Sequence, residues 1–332
     1  MNLDSVRELK QSLASRVLPG IETTIATRSA FGRAAAPVAR TAEPPPSVAL
    51  GVSLDGKKGY RLAVRVQKRA FQESREVELI TKHAKGEVDV RYVGRISKRA
   101  VPWYQQKQRP LLIGCSIGHF NVTAGTLGCF VRPLGGSGLF VLSNNHVLAN
   151  ENRGKAGDAI IQPGQHDGGV NPDDVVATLG GFVRLKKQGS NFVDAALGKI
   201  ADGISTELTI LKGNGKLSGL GDVFLDEGAE VFKIGRTTGL TRGRVTAFEL
   251  DNVVVAFDIG NLRFDNQIEI GGLDDGPFSD GGDSGSLIVS SDKRGVALLF
   301  AGGDQGGANG QGLTYANPLR AVLEALQVEL AL

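Results

Sequence analysis

The sequence is poor in cysteine, with only Cys115 and Cys129 among 332 residues. That scarcity excludes the disulfide framework on which small secreted domains depend, and the two thiols are expected to stay reduced. Long apolar runs are missing as well: no stretch approaches the roughly 18 residues that a membrane-crossing helix needs. The opening MNLDSVRELKQSLASRVLP carries charges throughout and has no apolar signal-type region. A cytoplasmic protein with no membrane association is therefore expected. Charge of one sign is also in short supply, since 38 Lys and Arg face 35 Asp and Glu for a net +3. The basic residues near 75–99 are interleaved with Glu76, Glu78, Glu87 and Asp89. This is the pattern of a solvated surface, so nucleic acid is not an expected partner.

Glycine, by contrast, is abundant, with 46 residues scattered between short apolar runs. Four regions follow from the pattern. Leu3, Val6, Leu9, Leu13 and Val17 recur three or four apart, which predicts an amphipathic helix within 1–27. Residues 28–47 are rich in Ala, Arg and Pro and end in Pro44-Pro45-Pro46, predicting an extended linker. Residues 48–101 combine alternation at Tyr60, Leu62, Val64 and Val66 with a helical stretch at Glu73–His83. We read there a small α/β module, suited to regulation or partner docking. From 102 to 332 short apolar runs alternate with turn residues in two successive sets, about 111–205 and 220–316, which predicts two barrels. Asn317 as N-cap, Pro318 at the first helical position, and Leu319, Val322, Leu323 and Leu326 predict a closing helix over 317–331.

Chemistry concentrates in three places. Gly281-Gly282-Asp283-Ser284-Gly285-Ser286, followed by Leu287-Ile288-Val289, puts a serine in a glycine-flanked turn before a buried strand. A serine hydroxyl attacks a carbonyl only when a base removes its proton and donors await the oxyanion. Glycine lets successive backbone N–H groups turn inward, so Gly282 and Ser284 are the candidate donors. Among only four histidines, His146 stands at the end of the apolar run Leu142-Ser143 and is the candidate base. His83, His119 and His166 lie in contexts that read as solvent-facing. Asp194, in Phe192-Val193-Asp194-Ala195-Ala196-Leu197, has apolar neighbours, and burial there makes sense only with a partner such as His146. Asp173 and Asp174 follow Asn171-Pro172 in a turn-like context and read as exposed.

The order His, Asp, Ser within Ser-Asn-Asn-His-Val, Asp-Ala-Ala-Leu and Gly-Asp-Ser-Gly-Ser resembles the trypsin/chymotrypsin superfamily over about 111–332. The resemblance implies a mainly β fold of two six-stranded antiparallel barrels with a C-terminal helix, here preceded by the small α/β module. It also implies peptide-bond hydrolysis of a protein or peptide substrate by a triad of His146, Asp194 and Ser284, with no cofactor and no metal. Leu298 to Gly303 resembles the strand that pairs with extended substrate, which makes Phe300, Ala301, Gly302 and Gly303 candidate substrate-binding residues. Alignment on Ser284 places Phe278 near the base of a specificity pocket and Asp280 beside it, so that apolar and basic preferences both stay open. Val231 to Gly243 resembles a hairpin of bacterial members.

The chain also departs from the family. Val147 stands where animal trypsins carry a disulfide cysteine, and no basic residue followed by Ile-Val-Gly-Gly is present, so Asp283 has no evident charge partner. The acidic run at 273–280 reads as a turn-rich loop rather than a calcium site. The alternative function is a catalytically silent or narrowly specific barrel protein that binds a partner.

Overall fold

The computed structural model describes residues 1–16, 48–56, 59–67, 69, 72–94, 96, 100–221 and 228–332. The expected linker over 28–47 and the end of the first helix at Val17 lie outside the described residues. Contacts divide the chain into two units, Met1–Ala100 and Val101–Leu332.

In the first unit, α1 (Leu3–Arg16) turns Val6 and Leu13 inward. Strand β1 (Val48–Leu54) pairs antiparallel with β2 (Tyr60–Val66), and β2 pairs parallel with β3 (Val88–Tyr92). A parallel neighbour requires a crossover, which α2 (Arg75–His83) supplies. Its start is set by Ser74, whose side chain accepts from the Val77 amide at 3.3 Å, with Glu76 and Glu78 in the first turn and Lys82 and His83 in the last. Val77 and Ile80 close over Leu62, Val64 and Val66, together with Val6 and Leu13. Each fully buried aliphatic chain contributes about 1.5–3 kcal/mol. Helix α1 is thus part of this small core.

The second unit is mainly β, and 41% of the described residues are strand and 14% helix. Strands β4 (Leu111–Leu112), β5 (Ser116–His119), β6 (Gly125–Thr126), β7 (Cys129–Pro133) and β8 (Phe140–Ser143) lead into a single helical turn, α3 (Asn145–Leu148). Next come β9 (Ala159–Ile161), β10 (Val175–Phe182), β11 (Ser190–Asn191), β12 (Ala196–Ile200), β13 (Thr206–Glu207) and β14 (Gly219–Leu220). The second half holds β15 (Glu230–Gly235), β16 (Gly239–Leu250), β17 (Val253–Phe257), β18 (Gly260–Phe264) and β19 (Gln267–Gly272). It ends with β20 (Leu287–Ser290), β21 (Arg294–Gly302), β22 (Leu313–Pro318), α4 (Leu319–Leu326) and β23 (Val328–Leu330).

Strands β21, β20, β15, β16, β19 and β22 pair in that order, and β22 pairs back to β21, closing a six-stranded barrel. Its inside is filled by Val231, Val245, Ile268, Ile270, Ile288, Val296 and Leu299. The other sheet runs β23-β7-β8-β12-β10-β9-β5-β6 and remains a half-barrel. Two six-stranded barrels were expected; one closes, and in the other the ladder is interrupted between β6 and β7. There Leu127 donates to Cys115 on one side, while Gly128 donates to Leu142 on the other. A Cβ on Gly128 would stand 2.5 Å from the Gly285 carbonyl, so the serine-bearing turn presses directly on the break. Cys115 and Cys129 are unpaired and buried here, and burial pushes both thiols up to about 12.

The closing helix is shorter than the expected 317–331. Pro318 is its N-cap, without a side-chain capping bond, because Asn317 belongs to β22 and spends its amide elsewhere. Gln327, with φ 54°, ends the helix and sends β23 back to pair with β7.

Candidate active site

Strand β8 ends at Ser143, and the extended Asn144 feeds the one-turn α3, whose Val147 and Leu148 sink into the core. With those two residues anchored, His146 is left facing outward with its side chain 21% exposed. Asp194 is fully buried between Val193 and Ala195. Its carboxylate takes the Asn145 amide at 2.7 Å, the His146 amide at 3.3 Å and His146 Nδ1 at 2.5 Å. The Asp194 backbone is held in turn. Asn144 Nδ2 donates to its carbonyl at 2.7 Å, and its amide donates to Asn317 Oδ1 at 2.9 Å. Asn317 donates onward to Gln267, which donates to the Phe192 carbonyl. Nε2 of His146 has no partner among the described residues. Burial alone would lower the His146 pKa, but the Asp194 charge and hydrogen bond outweigh it, Glu151 adds to them, and the net direction is upward.

His119 was expected to face solvent; it is instead buried. Both of its ring nitrogens are engaged, Nε2 with Asp158 at 3.1 Å and Nδ1 with the Asn121 amide at 3.1 Å. It therefore has no nitrogen free for a substrate proton. Asp174 is only partly exposed and is committed to Lys107 at 2.6 Å.

Ser284 sits in the turn between the 273–280 loop and β20. Gly282 and Gly285 have φ of +93° and +90°, a region closed to most side chains. A Cβ at Gly285 would meet Ser143 Oγ at 2.0 Å, and one at Gly282 would meet Arg236 Nη1 at 2.6 Å. The turn is seated on the histidine-bearing half. The Thr126 amide donates to the Ser284 carbonyl at 2.8 Å, Thr126 Oγ1 to the Gly282 carbonyl at 3.1 Å, and Ser143 Oγ to the Thr126 carbonyl at 2.7 Å. The Gly282 and Ser284 amides donate to no described group, and Ser284 Oγ has no hydrogen-bond partner among the described residues. Two open N–H groups beside a free hydroxyl can receive a negatively charged oxygen.

Asp283, whose charge partner the sequence leaves unnamed, is fully buried against a fully buried Lys233 at 3.0 Å. It also accepts from the Thr237 amide at 2.8 Å, the Thr238 amide at 3.2 Å and Thr238 Oγ1 at 2.6 Å. Lys233 in turn donates to Thr238 and to the Gly239 carbonyl. Burial lowers the Lys233 pKa, opposed by Asp283. Beside them Arg236 makes a two-pronged bond to Asp167, at 2.8 and 2.5 Å. Lys233, Thr238, Asn317 and Gln267 hold the candidate residues in place, and reading the sequence missed that part. The signal for Lys233 was a cation inside the apolar run Val231-Phe232-Lys233-Ile234.

A cavity of about 370 Å³ opens beside Ser284 and includes Ser279, Asp280, Gly281, Leu299, Ala301, Gly302, Gly303 and Asp304 in its wall. Of the residues expected to bind substrate, Asp280, Ala301, Gly302 and Gly303 line this cavity. Phe278 and Phe300 do not line it. Phe278 points into the barrel core with Ile270 and Ile288, its carbonyl held by Thr241 Oγ1 at 2.7 Å, and Phe300 packs on Phe264 with ring centres 4.6 Å apart. Both are buried as core side chains, which corrects their placement in the pocket. The position beside Phe278 does contribute: Ser279 Oγ and Thr314 Oγ1 lie 2.7 Å apart. Among the described residues no three His, Cys, Asp or Glu are grouped to hold a metal ion, the 273–280 run included.

No family model matches the sequence, and no curated protein does. Among solved structures the chain is similar to Thermobifida fusca protease A, with 18% identity over 66% of this chain and 97% of that one, TM-score 0.46. It is similar to Cellulomonas bogoriensis chymotrypsin, with 18% identity, 66% and 97% coverage and TM-score 0.45. A glutamic-acid-specific serine protease gives 21% identity, 67% and 100% coverage and TM-score 0.47. The structural neighbours are trypsin/chymotrypsin-like serine proteases. Among the described residues no helix is long and apolar enough to cross a membrane.

Proposed function

We propose that the protein is a serine endopeptidase, with Ser284 as nucleophile, His146 as general base and Asp194 as the group that fixes the imidazole. The observation that carries this reading is complementary engagement. His146 is bound to buried Asp194 through Nδ1 with Nε2 uncommitted, while Ser284 Oγ and two neighbouring amides are uncommitted in a positive-φ glycine turn. Nδ1–H bonded to a carboxylate leaves the Nε2 lone pair as the proton acceptor.

In the first step Ser284 Oγ bonds to the scissile carbonyl carbon as its proton passes to His146 Nε2. The oxygen that gains the charge is received by the Gly282 and Ser284 amides. His146 then gives its proton to the leaving amine and the C–N bond breaks, leaving an acyl-enzyme. Water, deprotonated by His146, attacks the ester, and collapse returns the proton to Ser284 Oγ and frees the acid. An extended substrate finds its place along β21. Pairing of β20 with β21 ends at Leu287 and Leu298, so the Phe300–Gly302 backbone has no strand on that side among the described residues. Lys233 supplies Asp283 with a cation from within the chain, so readiness would need no cleavage.

The test is labelling with a fluorophosphonate probe, together with peptide-library cleavage, on the intact protein, Ser284→Ala and His146→Ala. The expected result is labelling and cleavage by the intact protein only. Equal labelling of all three sinks the assignment, and peptide binding without labelling supports the alternative of a silent cleft.

A further inference from the structure

Helix α3 is followed by an unusual backbone: Asn150, Glu151 and Asn152 all have positive φ, at 46°, 52° and 68°. Three successive side-chain-bearing residues in the left-handed region persist only where surrounding contacts hold them. Here the contacts are specific. Asn152 Oδ1 accepts from Asn145 Nδ2 at 2.9 Å and from the Leu185 amide at 2.9 Å. The middle residue, Glu151, turns its carboxylate away from α3 and toward the hairpin formed by β17 and β18. One oxygen accepts the Asp258 amide at 3.1 Å and the other the Ile259 amide at 3.0 Å, the two residues at the hairpin tip.

That hairpin leaves the closed barrel between β16 and β19 and reaches the segment that links the half-barrel strands β10 and β12. Its β18 pairs in parallel with β11, Ser190 opposite Arg263 and Asn191 opposite Phe264. Phe257, immediately before the tip, is half-buried and sets its ring edge-on to the His146 imidazole, with centres 5.8 Å apart and planes at 73°. Behind it Phe264 and Phe300 continue the stack at 5.9 and 4.6 Å. One wall of the His146 side is therefore built by a distant part of the chain and fastened at its tip by Glu151.

We propose that Glu151 is a positioning residue, a latch that holds the 253–264 hairpin and its Phe257 ring against His146. The proposal rests on the reading of His146 as the base. Glu151 touches no reacting atom; it acts through the hairpin and through its charge. The charged groups around it are Arg153, 3.8 Å away and itself 3.5 Å from Asp258, and beyond the imidazole Asp194.

The experiment compares the intact protein with Glu151→Ala, Glu151→Gln and Arg153→Ala by amide hydrogen exchange, by NMR titration of the His146 ring, and by fluorophosphonate labelling rate against pH. In Glu151→Ala the Asp258 and Ile259 amides should exchange about tenfold faster or more, and the labelling rate should fall by a similar factor. Glu151→Gln keeps one oxygen acceptor and loses the charge. It should lose less rate than Glu151→Ala while the ring titration and the acid limb of labelling both move to lower pH, since the Glu151 charge raises the imidazole. Arg153→Ala, whose side chain is partly exposed, should change labelling less than about twofold. Unchanged hairpin exchange in Glu151→Ala overturns the latch. Faster exchange with an unmoved ring titration and labelling rate overturns the positioning role. An intact protein that never labels sinks the base assignment, while exchange and ring titration still decide the role of Glu151.

Discussion

The two arms of the candidate site are held in opposite ways. On the half-barrel side the proposed base itself is wired: His146 is tied to Asp194, and Asp194 is tied to Asn144, Asn145 and Asn317. On the closed-barrel side Ser284 Oγ is free, and the binding lies one residue back, where Asp283 takes Lys233, Thr237 and Thr238. A base needs one tautomer and one orientation, which a buried carboxylate imposes directly. A nucleophile needs its hydroxyl unoccupied, so its placement has to come from the backbone of its turn.

This contrast breaks most visibly at Lys233. Removing one partner of a buried ion pair leaves the other charge uncompensated and costs about 3–5 kcal/mol. Lys233→Met should lower unfolding stability by that order in urea. Adding Asp283→Leu should recover much of the stability, since apolar replacement of both partners is close to neutral, but not the labelling of Ser284, because the bonds from Thr237 and Thr238 that shape the turn would be gone. Recovery of both would mean that the ion pair is only packing.

The next effect is on rate. Gly282→Ala places a Cβ at φ +93° and 2.6 Å from Arg236 Nη1, so the turn must shift and carry its two open amides with it. Losing one aligned donor to an oxyanion costs about 10²–10³ in rate. The labelling rate should fall on that order, and unfolding stability should fall by about 1–3 kcal/mol, because a side chain is strained at this φ and Arg236 is already held by Asp167. Equal labelling by Gly282→Ala and the parent would remove these amides from the mechanism.

The same contrast explains what was legible in the sequence. His146, Asp194 and Ser284 could be singled out because each carries its own chemistry in a short local context. Their supports could not. Asn317 read as a helix cap, because an Asn before Pro and an apolar helix is a good cap locally; only the fold shows that its amide faces Asp194, 123 residues away. Phe278 and Phe300 read as pocket residues because alignment fixes position along the chain but not where a side chain points: Phe278 turns from its loop into the barrel, and Phe300 takes the buried face of β21. Of the two expected barrels one closes and the other is a half-barrel, whose β6 and β7 are separated at Leu127-Gly128, where a side chain on Gly128 would meet the Gly285 carbonyl. Short apolar runs gave the strands; which pairs close a ring depends on contacts far apart in sequence.

The smallest effect gives the sharpest check on the wired arm, because one proton should be visible in two measurements. The His146 pKa is raised in the folded protein by Asp194 above the ordinary value of 6.5. A group whose folded pKa is raised adds stability that is fully present below the unfolded value. That stability is lost as pH rises through the folded value. Under the proposed mechanism reactivity runs the other way, since only the neutral imidazole would accept the Ser284 proton, so labelling should climb through the same folded pKa. Across pH 5 to 9, which brackets the ordinary histidine value of about 6.5, labelling should rise with its midpoint at the folded pKa, above that value, and the His146 contribution to urea stability should fall over the interval between the ordinary and the folded value. His146→Gln should abolish the stability increment. A labelling midpoint at or below the ordinary histidine value would mean that Asp194 orients the ring without holding its charge, and the two arms would then differ less than their hydrogen bonds suggest.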